Sequence, residues 1–234
     1  MCGRYVSARN DRELRLLFDV AERVGERSAP SWNVAPTDTV RIVLDDAHKD
    51  RPPARQLRDV RWGLLPVWAE DRRSGARMIN ARSETITEKP AFRSAAARRR
   101  CVVPADGYYE WQKSRDRTTP FYLHAPDESV LPFAGLYERW PDPDVAEHDP
   151  AKWVWTCTIL TRPATDTHGH IHDRAPVILP LAMVGDWLDT ATTRPGAVRA
   201  LVDAIPEAHL VPRRVDPAVG SVRTDEPWLI DPVD

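Results

Sequence analysis

Cysteine is scarce in this 234-residue chain: Cys2, Cys101 and Cys157 are all there are, and none forms a Cys-x-x-Cys pair. So small and odd a set argues against a disulfide framework and against a cysteine-rich zinc site. No run of eighteen apolar residues occurs, and the start lacks a charged segment followed by an apolar one. Neither a membrane-spanning helix nor a secretory signal is expected, and the cytoplasm is the expected compartment. No internal repeat is present, so a single domain over residues 1–234 is the expected organisation.

The chain also lacks the bulk positive charge of a general polyanion binder, since its net charge is −2. The charge is nevertheless uneven. Residues 61–100 hold ten Lys/Arg against four acids, whereas residues 201–234 hold three arginines against seven acids. That asymmetry permits a basic groove on an otherwise acidic protein, and it is equally compatible with solvated faces.

What the chain does have is proline, 22 residues of it, about twice the average usage, which suits short strands joined by rigid turns. Leu14, Leu17, Phe18, Ala21 and Val24 recur at helical spacing, and Asn10 with Glu13 reads as a capping box, so a helix is predicted over 10–24. Strands are predicted at Thr39–Leu44, Leu57–Leu65, Cys101–Pro104, Tyr108–Gln112, Pro120–His124, Leu131–Leu136 and Trp153–Thr161. Alternation in the last puts Trp153, Trp155, Cys157 and Ile159 on one face, making Cys157 a core residue. Short helices are predicted over 91–99, 181–189 and 196–204, and an acidic, mobile loop over 141–152.

The chemistry begins at Met1-Cys2-Gly3-Arg4-Tyr5. If Met1 is removed, Cys2 presents an amine and a thiol on adjacent carbons, with ordinary pKa values of roughly 7.7–8.0 and about 8.5. Such a 1,2-aminothiol captures aldehydes: the amine forms an imine and the thiol closes a five-membered thiazolidine. Position alone leaves open that Met1 stays and Cys2 is one more buried small residue.

Four further stretches carry polar residues between apolar and turn residues: Arg61–Trp68, Met78–Thr85, Val102–Trp111 and His168–Pro176. Together with the first five residues, the turn Asn33-Val34-Ala35-Pro36 and the late Val219-Gly220-Ser221-Val222, in that order over nearly the whole chain, they resemble the SOS-response-associated peptidase family of abasic-site processing proteins. The resemblance implies that Cys2 links covalently to the ring-opened aldehyde of an abasic site in single-stranded DNA, with Asn80, Glu110 and His172 as the other active-site residues. Lyase activity and self-removal of Met1 are implied as side activities. It also implies a single α+β domain with a mostly antiparallel, barrel-like β core and short peripheral helices.

The residue types suit those roles. A histidine titrating near neutrality can move the proton that opens a hemiacetal, a carboxyl in an apolar setting can shuttle protons at an imine, and an asparagine donates and accepts without titrating. For the DNA, Arg4, Arg82, Arg93 and Arg174 are the phosphate candidates, and Pro36, Trp68 and Trp111 the stacking or wedge candidates. The expected partner is single-stranded DNA containing abasic sites, bound by a monomer that joins the nucleoid at damage; no membrane, cofactor or metal is expected. The chain departs from the family pattern at Val67, where a serine often precedes the tryptophan, and at Ala175, where methionine is common. Three other readings stay open: an N-terminal-cysteine amidohydrolase, a metal site on His168, His170 and His172, and a non-covalent DNA-binding module.

Overall fold

A computed structural model describes residues 2–26, 29–46, 54–164 and 171–233. In chain order the elements are β1 (Tyr5–Ser7), α1 (Asp11–Leu17), β2 (Glu22–Val24), β3 (Ser31–Val34), β4 (Thr39–Asp46), β5 (Ala54–Trp62), β6 (Asn80–Arg82), α2 (Arg93–Arg98), β7 (Arg100–Ala105) and β8 (Gly107–Lys113). They continue with β9 (Thr118–His124), β10 (Leu131–Pro141), β11 (Trp153–Pro163), β12 (Arg174–Pro176), α3 (Val184–Leu188), α4 (Pro195–Ala204) and β13 (Val211–Arg214). The α+β class and barrel-like core expected from the resemblance are what the chain adopts.

The core is a closed ring. Strands β11, β10, β7, β4 and β5 are antiparallel neighbours in that order. A short parallel pairing, Thr156 opposite Arg61 and Cys157 opposite Trp62, then joins β11 back to β5. Alternation divides these strands between two packed regions. Ile42, Leu44, Trp62, Val103, Phe133, Cys157 and Ile159 pack together on the inner face. Val43, Leu57, Val102, Leu136 and Leu160 face outward, where helix residues such as Leu14, Ala95, Trp187 and Val198 cover them. Cys157 is fully buried, as its place in the alternation predicts.

A second, all-antiparallel sheet runs β13-β9-β8-β1-β3. Its Tyr5, Tyr108 and Leu123 enter the same inner core, Tyr5 edge-on to Trp62 with 5.2 Å between ring centres. This sheet carries the amino terminus and β8 side by side over one end of the ring, which is how residue 2 and residue 110 meet.

The helix predicted over 10–24 is shorter than its apolar spacing suggests. The capping box forms, with Glu13 N–H donating to Asn10 Oδ1 at 3.0 Å, but α1 ends at Leu17 and Asp19 turns left-handed at φ 53°. Residues 22–24 join the sheet instead, parallel to β5 with Val24 opposite Arg58, so strand pairing overrides the continued helical period. The 141–152 segment is well connected: Arg72 Nε donates to Asp142 at 2.6 Å and Lys152 Nζ to the Val145 carbonyl at 2.8 Å. Among the described residues no helix is long and apolar enough to cross a membrane.

Candidate active site

Cys2 lies just before β1 and is fully buried in the inner core. Its backbone carbonyl accepts a hydrogen bond of 2.8 Å from Asn80 Nδ2. Asn80 opens β6, which runs parallel to β11 with Asn80 opposite Ile159. The backbone just before it is pinned twice: the Ile79 carbonyl accepts from Trp62 Nε1 at 2.9 Å and from the Ile159 N–H at 3.0 Å. Approach to β6 depends on two glycines packed back to back. Gly63 has φ 129°, and a Cβ there would sit 2.7 Å from the Gly75 carbonyl oxygen, so neither a side chain nor an ordinary backbone conformation fits. The Asn80 Oδ1 atom is buried and has no hydrogen-bond partner among the described residues.

Glu110 sits in the middle of β8, opposite Phe121 of β9, and is 4% exposed. Burial pushes its carboxyl above the usual carboxylate range, and the nearby charge of His172 works in the other direction. The Cys2 thiol is likewise pushed far above its ordinary range, first by burial and then by the charge of Glu110. His172 Nδ1 lies 3.0 Å from the Arg174 N–H and 2.9 Å from Asp173 Oδ1, with about a third of the side chain exposed. The four residues expected at the active site therefore come together from the amino terminus, β6, β8 and the segment before β12. Tyr108 shares the inner face of β8 with Glu110. It borders a recess of about 20 Å³ together with Arg162, Ala175 and Glu207.

The expected DNA-contact residues separate into two groups. Arg82, beside Asn80, and Arg93, at the start of α2, are exposed. Trp68 is 61% exposed on the loop after β5, next to an exposed Val67. Pro36 is half-buried in the turn Ala35–Asp38, where Thr37 takes φ 78° and the Ala35 N–H donates to Asp38 Oδ2 at 2.8 Å. Arg4, Arg174 and Trp111 are engaged inside the molecule. Arg4 Nη1 donates to Asn33 Oδ1 at 2.6 Å and to the Val219 carbonyl at 3.0 Å, and Nη2 to the Gly220 carbonyl at 3.1 Å. Arg174 Nη2 donates to Glu84 Oε2 at 2.9 Å and to the Thr161 carbonyl at 2.6 Å. Trp111 points to the face of β8 opposite Glu110 and packs with Tyr109, Tyr122 and Val215.

Sequence reasoning missed the clamp that holds the amino-terminal strand. Asn33 Nδ2 donates to the carbonyls of Ser221 and Thr224 at 3.0 and 2.7 Å, while Arg4 binds the two carbonyls just before them. The sequence signal was the late Val219–Val222 motif, whose Val219, Gly220 and Ser221 carbonyls are three of the acceptors. His168 and His170 of the metal reading lie outside the described residues. Among the described residues no group of three or more His, Cys, Asp or Glu side chains is arranged to hold a metal ion.

Residues 1–222 match the family model described as SOS response associated peptidase. The chain is 34% identical over 233 residues to a protein of Bacillus subtilis named abasic site processing protein YoqW, covering 99% of both chains. It is 35% identical to a second B. subtilis protein, named abasic site processing protein YoaM, covering 99% of this chain and 98% of the other. A crystal structure of a protein from Bacteroides thetaiotaomicron shares the fold, with a TM-score of 0.84 at 21% identity, covering 99% of this chain and 100% of that one.

Proposed function

Because the chain belongs to the SOS response associated peptidase family, a family of abasic site processing proteins, we propose that it captures abasic sites in single-stranded DNA as a covalent thiazolidine on Cys2. The observation that carries this reading is the hydrogen bond from Asn80 to the Cys2 carbonyl beside a buried, raised-pKa Glu110. That arrangement holds Cys2 by its backbone carbonyl, beside a carboxyl whose burial favours the protonated form.

In this reading Met1 is first removed, by self-cleavage or by an aminopeptidase. His172 moves the proton that opens the deoxyribose hemiacetal to its aldehyde. The Cys2 amine then adds to the aldehyde carbon, and Glu110 supplies the proton with which the oxygen leaves as water, giving an imine. Sulfur next adds to the imine carbon. The thiol proton, which burial keeps on sulfur, passes to the imine nitrogen, with Glu110 as the carrier. One aldehyde and one aminothiol thus become one thiazolidine and one water. Glu110 serves reversal by the same route, and β-elimination from the imine accounts for a side lyase activity.

Arg82 and Arg93 hold phosphates, and Trp68 and Pro36 hold the strand open around the lesion. The protein acts as a monomer in the cytoplasm and joins the nucleoid at damaged DNA. The deciding experiment is incubation with single-stranded DNA bearing one abasic site, followed by a denaturing gel. A heat-stable shifted band is expected, absent for Cys2→Ala. No band for the native protein, or an undiminished band for the variant, overturns the covalent reading.

A further inference from the structure

The ring of strands has two ends, and only one is used by Cys2. At the other, a cleft of about 500 Å³ opens between β10, β11 and α2, within the range of roughly 300–1,000 Å³ that holds small ligands. Tyr137 and Trp155 stack in it with 5.5 Å between ring centres and 14° between planes. The Arg58 guanidinium lies 3.9 Å from the centre of the Trp155 ring. Arg139 lies 5.4 Å from the centre of the Trp153 ring and 5.5 Å from that of Trp155. Trp153 is 45% exposed, a large apolar surface with the Arg139 guanidinium over its ring and the rest open to solvent.

The charges of the cleft are unequal. Asp45 is held by Arg55 at 2.8 Å and Glu138 by Arg99 at 2.7 Å, while Asp46 accepts from Gln56 at 3.4 Å and lies near Arg58. Arg98 and Arg139 have no carboxylate partner among the described residues. Exposed aromatic surface beside unpaired guanidiniums is the pattern that holds single-stranded nucleic acid, with bases stacked on rings and phosphates tracked by arginines. The cleft is also continuous with the loop after β5, since Val67, next to Trp68, forms part of its wall. Along β11, Trp155 is four residues from Ile159, the neighbour of Asn80, which is about 13 Å at about 3.3 Å per residue.

We propose that this cleft is a second binding subsite for the damaged strand, taking an unpaired flanking base on Trp153 and its phosphate on Arg98 and Arg139. The proposal rests on the reading that single-stranded DNA is the partner, but not on Cys2 chemistry. The test is fluorescence anisotropy with an undamaged thymidine 20-mer, across a salt series, for the native protein, Trp153→Ala and Arg139→Gln. Both side chains are exposed, and unchanged thermal melting would verify folding. Trp153→Ala is expected to weaken binding of the 20-mer about tenfold, in line with about 1–3 kcal/mol per stacked base. Arg139→Gln is expected to lower the slope of log affinity against log salt by about 0.7. A hexamer with a central abasic site should crosslink to Trp153→Ala as it does to the native protein. Unchanged 20-mer affinity and slope in both variants would overturn the proposal. So would a native dimer that Trp153→Ala converts to monomer, which would make the cleft a contact between copies. Failure of the native protein to crosslink the hexamer would instead count against the Cys2 reading, and leaves the anisotropy result to decide the cleft.

Discussion

The side-chain amide of Asn80 donates to the backbone carbonyl of Cys2 at 2.8 Å, and its own carbonyl oxygen is buried without a partner among the described residues. An amide spent on one side and unsatisfied on the other is held for a second hydrogen bond, since a buried acceptor left unmade costs about 1–3 kcal/mol. A free Cys2 amine or a sugar hydroxyl would supply the missing donor. Asn80→Ala removes both interactions, so it should slow crosslink formation by about tenfold or more while lowering stability by only about 1 kcal/mol. Single-turnover crosslinking alongside urea denaturation measures the two; a loss of rate no larger than the loss of folded protein would remove Asn80 from the chemistry.

Glu110 gives a prediction in which function and stability move in opposite directions. Its folded carboxyl has a raised pKa, because burial disfavours the charged form. The native state therefore holds its proton more tightly than the unfolded chain, and stability falls as pH rises from the unfolded value through the folded one. Glu110→Gln has no charge to bury. It should melt higher than the native protein at pH 8, with the gap closing toward pH 4, and should form and reverse the crosslink more slowly. A difference in melting temperature that does not change with pH would mean that the carboxyl is not buried as described.

Much of this site was legible in the sequence, and the parts that were not share a cause. Strands such as Cys101–Pro104 and Trp153–Thr161 follow from β-branched and aromatic runs, and their alternation correctly buries Cys157. Closure of the ring could not be read, because it rests on Cys157 pairing with Trp62, 95 positions away, with no local mark. The helix over 10–24 failed for the same reason, as pairing of residues 22–24 with β5 is a tertiary choice. Motif residues came without directions. Arg4 and Arg174 look alike with Arg82 in a list of basic residues, yet two turn inward to carbonyls and a carboxylate while one faces solvent.

The inward turn of Arg174 is itself testable. Its guanidinium is the main cause holding the Glu84 carboxyl down to about 2, against an ordinary value of 4.5. A depressed acid contributes stability that is present above its unfolded pKa and lost as pH falls through the folded one, here between about 4.5 and about 2. At about 1.36 kcal/mol per pKa unit the shift corresponds to about 3 kcal/mol, but the Glu84 side chain is 42% exposed, and screening reduces this to about 1–2 kcal/mol. Glu84→Gln should therefore destabilise the protein by about that much at pH 7 and by almost nothing at pH 2, in chemical denaturation at both pH values.

Arg100 is the strongest test of how the outer helices are fastened to the ring. It is 4% exposed, and Nε donates to the Trp187 carbonyl at 2.6 Å. Nη1 donates to the carbonyls of Ala96, Ala97 and Thr192 at 2.8, 3.1 and 2.9 Å, and Nη2 to that of Asp189. Those carbonyls lie at or beyond the ends of α2 and α3, where a helix has no N–H donors of its own left to bind them. One planar fork thus closes two helix ends onto β7, a geometry that a lysine ammonium cannot reproduce. Arg100→Lys leaves several buried carbonyls unsatisfied and should cost about 3 kcal/mol of stability in urea denaturation. Because β7 residue 100 faces the helices and not the inner core, crosslinking per folded molecule should match the native protein. A variant that kept its stability would show that water reaches these helix ends, and one that stayed folded but lost crosslinking would tie them to the site at Cys2.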